Sequence, residues 1–402
     1  ITNKFLYSQQ DVKIKIVDAE TSEALIGAIA YDSIQNRYAV ANNYGILQFR
    51  IKGDSTILSF SYFGYNPKSL TIKSVDSLIL VQLEVQPIAI DSVYVYHKGS
   101  KQIRHGHLAI SQIEMVNTPV LFAEKDVLKT LQLMPGVIQN RENTSSFTVR
   151  GGSSDQNLML MDGIPVYNIN HLYGFVSIFN TDACNKVNFY KGGIPARYGG
   201  RLSSVVDVML REGMKGSYTG GVSLNPIASR LYFEGPLNKS KTNSFLFAGR
   251  RTLYDLVVAP IIFLLYKGVI GYYYQDLSLK TNFQLNPKNN LFISTYYGAD
   301  NFYSKSLQQD NTSKIGRGWN NITQLIRWNN FSFNKTIINT SIAFTRFQYL
   351  SYNSAKIKST NYNFYKAYKS GIDEFISKVD INYSLNYFWM INYGIFYSYR
   401  MH

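Results

Sequence analysis

Between residues 276 and 285, Leu277, Leu279, Thr281, Phe283 and Leu285 alternate without a break with Asp276, Ser278, Lys280, Asn282 and Gln284. Successive side chains of an extended strand point to opposite faces, so the pattern describes a β-strand with one apolar and one polar face. Residues 379–387 repeat it, with Val379, Ile381, Tyr383, Leu385 and Tyr387 set against Asp380, Asn382, Ser384 and Asn386. Strands of about ten residues of this kind suit a transmembrane barrel, with lipid outside and a hydrated lumen inside. Soluble sheets alternate too, and what tilts the balance is aromatic usage. Residues 216–402 hold 38 Phe, Trp and Tyr against 21 in the longer segment 1–215. Groups such as Tyr272-Tyr273-Tyr274, Tyr296-Tyr297 and Phe396-Tyr397 suit the aromatic girdles at the two membrane interfaces.

About nine strands are expected over 216–402, joined by short turns such as Asn286-Pro287-Lys288-Asn289 and by long segments near 252–271, 299–316 and 351–370. In such barrels long connections lie outside and short turns on the periplasmic side. The apolar run 256–266 is expected to be a loop helix or a membrane-facing flap. Nine strands cannot enclose a folded domain; a plugged barrel has about 22. An incomplete barrel is therefore expected.

Other classes fit poorly. The 11 residues of the run 256–266, with Pro260 inside, are too few for a bilayer-spanning helix. The single cysteine, Cys184, excludes an internal disulfide framework. The net charge of +15 raises nucleic acid as a partner, but the cations are scattered and no nucleic-acid-binding motif is present. A basic balance equally suits anionic lipid headgroups. His105-Gly106-His107 has no third ligand nearby, and no GxSxG, HExxH or Walker pattern occurs. No catalytic residue, metal site or cofactor is expected, and the chain reads as a non-enzyme. With no leader-like segment after Ile1, it reads as a mature or trimmed product.

Residues 11–83 read as a small β-sandwich. Val12, Ile14 and Ile16 alternate with Lys13 and Lys15, Asn42-Asn43-Tyr44-Gly45 supplies turn chemistry, and strands are expected at 46–51, 57–65 and 77–83. Residues 84–101 read as a linker. Residues 102–215 read as a small α/β domain, with a helix over 124–133 stopped by Pro135-Gly136 and strands at 146–149, 158–161, 186–190 and 204–210.

Four ordered segments of this α/β domain carry a further signal: Phe147-Thr148-Val149-Arg150-Gly151-Gly152, Leu158-Met159-Leu160-Met161-Asp162-Gly163-Ile164-Pro165, Phe189-Tyr190-Lys191-Gly192-Gly193 and Ala196-Arg197-Tyr198-Gly199-Gly200-Arg201-Leu202-Ser203-Ser204. Together they resemble the plug domain of TonB-dependent outer-membrane transporters of the Bacteroidetes type. Residues 17–21, 25–28, 43–45 and 61–65 also resemble the carboxypeptidase regulatory-like domain that precedes such plugs, a fold relationship without peptidase activity; a generic immunoglobulin-like spacer fits as well.

The resemblance implies a mainly β chain: an N-terminal β-sandwich in the periplasm, a plug, and the first part of an antiparallel β-barrel in the bacterial outer membrane. It implies a TonB-binding strand at Ile90, Asp91, Ser92, Val93, Tyr94, Val95 and Tyr96, where an unpaired extended peptide can be captured by strand addition. The same stretch also reads as a first plug strand or a plain linker. Arg150 matches the plug arginine that faces barrel carboxylates, and Lys191 stands where relatives carry a second arginine, so the two are the implied plug–barrel latch. Lysine there keeps the charge without the bidentate fork. Arg141, Asn143, Asp155, Gln156, Asn168, Asn170, His171 and Tyr173 fall in the implied substrate-facing loops. Implied partners are TonB with its ExbB-ExbD energy complex and outer-membrane lipid; a surface lipoprotein is compatible but not implied. The implied function is import of a glycan, peptide or metal chelate; the alternative is a non-importing receptor or scaffold of a surface complex, and a soluble adhesin stands third.

Overall fold

The structure is a computed structural model. It describes residues 9–402 apart from 43, 53–54, 63, 74–77, 87–105, 119–124, 141–143, 226–227, 267, 309–310, 334, 358–361 and 386–388.

The N-terminal strands are β1 (Gln9–Asp18), β2 (Ile29–Asp32), β3 (Arg37–Val40), β4 (Ile46–Lys52), β5 (Ser55–Ser61), β6 (Lys68–Lys73) and β7 (Leu78–Leu83). They form a sandwich of two sheets, ordered β4-β1-β7 and β3-β2-β5-β6. Alternation puts Val12, Ile14 and Ile16 of β1 inside, against Phe49 and Ile51 of β4 and Leu58 and Phe60 of β5.

The next unit contains β8 (His107–Ser111), α1 (Gln112–Asn117), α2 (Val127–Gln132), β9 (Val137–Gln139), β10 (Phe147–Val149), β11 (Asn157–Met161), β12 (Ile164–Pro165), β13 (Asn170–His171), β14 (Val176–Ser177), β15 (Cys184–Tyr190) and β16 (Ser204–Leu210). Its main sheet runs β12-β11-β16-β15-β8, with β11 and β16 parallel. Asp126 caps α2 by accepting from the Leu128 amide at 2.8 Å. Its other carboxylate oxygen accepts from the Ser177 amide at 2.6 Å, so one cap also fixes a distant loop. On α2, Val127, Leu128 and Leu131 are buried in a core shared with Phe147, Phe189 and Val206, and with Leu246, Ala248 and Tyr296 of the following sheet. The α/β unit and that sheet therefore have one continuous interior.

The remaining strands are β17 (Thr219–Leu224), β18 (Ser229–Pro236), β19 (Ser244–Arg251), β20 (Gly268–Asn286), β21 (Asn289–Gln308), β22 (Asn311–Asn330), β23 (Thr336–Ile357), β24 (Tyr362–Ser384) and β25 (Met390–Met401). All nine lie in one antiparallel sheet in chain order, a meander in which each strand pairs with the next. Along β20 the expected alternation holds: Asp276, Ser278 and Lys280 are buried against the α/β unit while Leu277 and Leu279 face outward.

Two expectations are corrected here. The segments 299–316 and 351–370 are mostly not loops, because β21 to β24 continue as 20- to 23-residue strands; polar Ser, Asn and Lys are tolerated where such strands run past an apolar band into the polar headgroup and aqueous region. The tyrosine triplet is not a single girdle. Strand pleating turns Tyr272 and Tyr274 inward, where they are buried, and leaves Tyr273 on the other face; Tyr296 is likewise fully buried. The apolar run forms α3 (Tyr254–Tyr266) with Pro260 inside it. Among the described residues no helix is long and apolar enough to cross a membrane, which says nothing of strands.

Candidate functional site

The loop between β12 and β15 reaches the wall of the nine-stranded sheet, and His171 is its centre. The residue is 1% exposed. Nε2 lies 2.7 Å from Asp276 Oδ1 and Nδ1 contacts Asp300 Oδ2, while the ring stacks on Tyr274 at 4.7 Å. Asp276 Oδ2 also accepts from Arg250 Nε at 2.8 Å and Nη2 at 2.5 Å, and Oδ1 accepts from the Tyr296 hydroxyl at 2.6 Å. Asp300 accepts from the Tyr272 hydroxyl and, at 3.1 Å, from the Leu172 amide. Arg250 closes the circuit by donating to the Ser177 carbonyl at 2.6 Å.

Strand register explains how these groups meet. Arg250 is the direct partner of Asp276 across β19 and β20, and Tyr274 of Asp300 across β20 and β21. Cations and carboxylates thus occupy two neighbouring rungs of one face. Burial opposes charging of His171, but the two aspartates outweigh it and push its pKa up to about 9. With the imidazole protonated, two cations balance two carboxylates and both ring nitrogens donate. Unpaired, any one of these charges would be costly to bury.

Around this centre the loop makes further wall contacts. Trp319 Nε1 donates to the Asn170 carbonyl at 3.1 Å, and Asn321 Nδ2 to the Asn168 carbonyl at 2.6 Å. Tyr173 packs edge-on against Trp319 at 5.4 Å, and the Tyr167 hydroxyl bonds Glu374. Leu172 and Tyr173 adopt φ of 50° and 55°, a left-handed pair that persists only where surroundings enforce it. A second anchor lies at the end of β11. Lys280 Nζ meets Asp162 Oδ1 at 3.0 Å, and Arg327 donates to the Asp162 carbonyl.

Of the residues singled out from sequence, the structure brings together Asn168, Asn170, His171 and Tyr173, and sets them against the wall. Asp155 and Gln156 lie in a separate short turn, Ser154–Gln156, where Ser153 Oγ donates to Asp155 at 2.5 Å and holds its pKa down. Arg150 and Lys191 converge on the turn after α2: the Arg150 amide donates to the Gly136 carbonyl at 3.1 Å and Lys191 Nζ to the Pro135 carbonyl at 2.8 Å. Among the described residues neither meets a wall carboxylate. Arg141, Asn143 and the strand Ile90, Asp91, Ser92, Val93, Tyr94, Val95 and Tyr96 lie outside the described residues.

Sequence reading missed Arg250, Asp276, Asp300, Asp162 and Lys280 as the groups that join the two units. Asp276 and Lys280 were legible as charges on the polar face of a strand, but their partners are 105 and 118 residues away.

Residues 109–206 match the family model described as TonB-dependent Receptor Plug Domain. A comparison with curated proteins found no match. Among solved structures the chain is similar to the siderophore receptor PirA from Pseudomonas aeruginosa (15% identity, TM-score 0.38, 74% of this chain and 58% of that one). It is also similar to the outer membrane transporter YddB from Escherichia coli (10%, 0.40, 73% and 56%) and to the ferric citrate transporter FecA in unliganded form (14%, 0.44, 73% and 56%). The chain thus spans less than two thirds of the length of these structures. Residues 109–206 thus match the plug domain of TonB-dependent receptors, and this segment is seated against nine meandering strands that, along β20, alternate a polar inner and an apolar outer face.

Proposed function

We propose that this receptor imports a nutrient through its barrel, with the loop around His171 as the contact that must yield. The carrying observation is the burial of a plug side chain, His171, between two carboxylates of the barrel wall. A stopper held by a compact, charge-balanced polar cluster is rigid when assembled, yet its members regain hydration when separated, so the contact can be broken and remade. In this reading a ligand, a glycan, peptide or metal chelate, arrives over Asn168, Asn170 and Tyr173. TonB, energised by ExbB-ExbD, takes up residues 90–96 as an added strand and pulls on the plug. Arg150 and Lys191 serve as a secondary latch to parts of the barrel wall beyond these nine strands.

The test is binding of the purified periplasmic domain of TonB to the full-length receptor with and without residues 90–96. Loss of binding on deletion supports the reading. Undiminished binding would refute the assignment of the captured strand, and binding without any plug displacement, followed by hydrogen exchange, would favour a non-importing scaffold.

A further inference from the structure

Residues 311–372 contain nine Lys and Arg and no Asp or Glu. These residues cover β22, β23 and the first half of β24, whose ends at 311, 357 and 362 lie away from the N-terminal sandwich; the opposite ends carry the turn at Phe331 that receives Lys13 of the sandwich at 3.1 Å. Arg327 and Lys335 sit at the sandwich end, whereas Lys314, Arg317, Lys356, Lys366 and Lys369 lie in the halves of the strands away from it.

Register assigns three of the lysines to one face. Val269, in phase with the outward Leu277 on β20, pairs with Lys305; Lys305 pairs with Lys314, and Lys314 with Ser354. Lys356 follows Ser354 by two residues and so shares its face. Lys305, Lys314 and Lys356 line a single cleft of about 400 Å³ together with Ser354, Asn363 and Tyr365. Lys314 and Lys356 are exposed. Among the described residues none of the three has a carboxylate within ion-pair distance, whereas Arg346, lower on the same face, is neutralised by Asp373 at 2.6 Å. Like charges placed directly opposite each other on neighbouring strands repel. An arrangement of this kind is relieved by an anion between them.

We propose that the cleft of Lys305, Lys314 and Lys356 binds the phosphate groups of anionic glycolipid in the outer leaflet around the barrel. The face decides the source. An anionic cargo on its way through the lumen would meet the inward side chains, such as Lys366, and not the outward ones, while a membrane-borne phosphate meets only the outward ones. Lysine suits this ligand as a point charge able to follow a mobile phosphate.

The test uses detergent-solubilised full-length receptor titrated with bis-phosphorylated lipid A in mixed micelles, with dephosphorylated lipid A and inorganic phosphate as separate arms. The combined K305Q, K314Q and K356Q variant is expected to bind the phosphorylated lipid about 100-fold more weakly, from about fivefold per lysine beside an anionic surface. The corresponding triple arginine variant should retain binding, and Lys366→Gln should leave it unchanged. Equal affinity of wild type and the triple glutamine variant overturns the proposal. So does equal binding of dephosphorylated lipid, and inorganic phosphate binding as tightly as the lipid would reassign the cleft to a soluble anion.

Discussion

Replacing His171 with alanine removes the one plug cation from between Asp276 and Asp300. Arg250 and Tyr296 still serve Asp276, and Tyr272 and the Leu172 amide still serve Asp300, so the wall survives but loses its hold on the loop. A rise of the His171 pKa from 6.5 to about 9 corresponds to about 3 kcal/mol of preference for the assembled, protonated state. Removing one partner of a buried ion pair costs about 3 to 5 kcal/mol in general, which agrees. If that energy holds the loop closed, opening should become more frequent by about two orders of magnitude, since about 1.4 kcal/mol is a factor of ten. Hydrogen exchange of peptides covering 166–178 in the full-length receptor would read this directly. The sign with pH is fixed by the raised pKa: the stabilisation is complete below about 6.5 and is lost as pH rises through about 9. Wild-type protection, corrected for intrinsic exchange chemistry, should therefore fall between neutral pH and about pH 10, and His171→Ala should show no such fall. A wild-type loop whose protection ignores pH over that window, or a variant as protected as wild type, would refute the reasoning.

Two further outcomes follow from the same geometry. Arg250→Met strips Asp276 of both guanidinium bonds and Ser177 of its donor, so thermal unfolding should show a loss of about 3 kcal/mol or more; Arg250→Lys should fall between, and a lysine variant equal to wild type would sink the argument from fork geometry. Gly213, with φ of +83° at the passage from plug to barrel, has no room for a side chain because a Cβ there would strike the Phe245 carbonyl. Gly213→Ala should lower stability by at least about 1 kcal/mol, and an unchanged denaturation midpoint would contradict this.

The N-terminal sandwich is held to the other two units by buried polar contacts that are equally invisible in the sequence. Glu23 accepts from the Glu212 amide at 3.0 Å and lies 3.5 Å from Arg211, which also pairs with Glu234 of the barrel. Burial raises the Glu23 pKa to about 6, against the pull of Arg211. Lys186 of the plug donates to the Ile26 carbonyl at 2.6 Å, with its pKa lowered to about 8 by burial. The sandwich therefore meets the other two units around a handful of desolvated charges and one small apolar cluster, Ile46 with Phe331 and Ile337, whereas the plug and the sheet share a continuous apolar core.

Alternation along 276–285 and 379–384 determined from sequence alone that these residues are strands, because a pleated chain has period two whatever it packs against. The order of the four glycine-bearing segments likewise carried the plug assignment, and Pro135-Gly136 the end of its helix. Tertiary structure decided what each face meets. Period two groups Tyr272, Tyr274 and Asp276 together but is silent on whether lipid, water or a histidine 105 residues away lies opposite. It also decided that His171, in a loop whose composition suits solvent, is buried, that the Lys191 ammonium turns toward Pro135, and that the Arg150 guanidinium lies beside Gly192. Ion pairing at such separations depends on strand register and on how the plug is seated, and neither is written in any local window of residues.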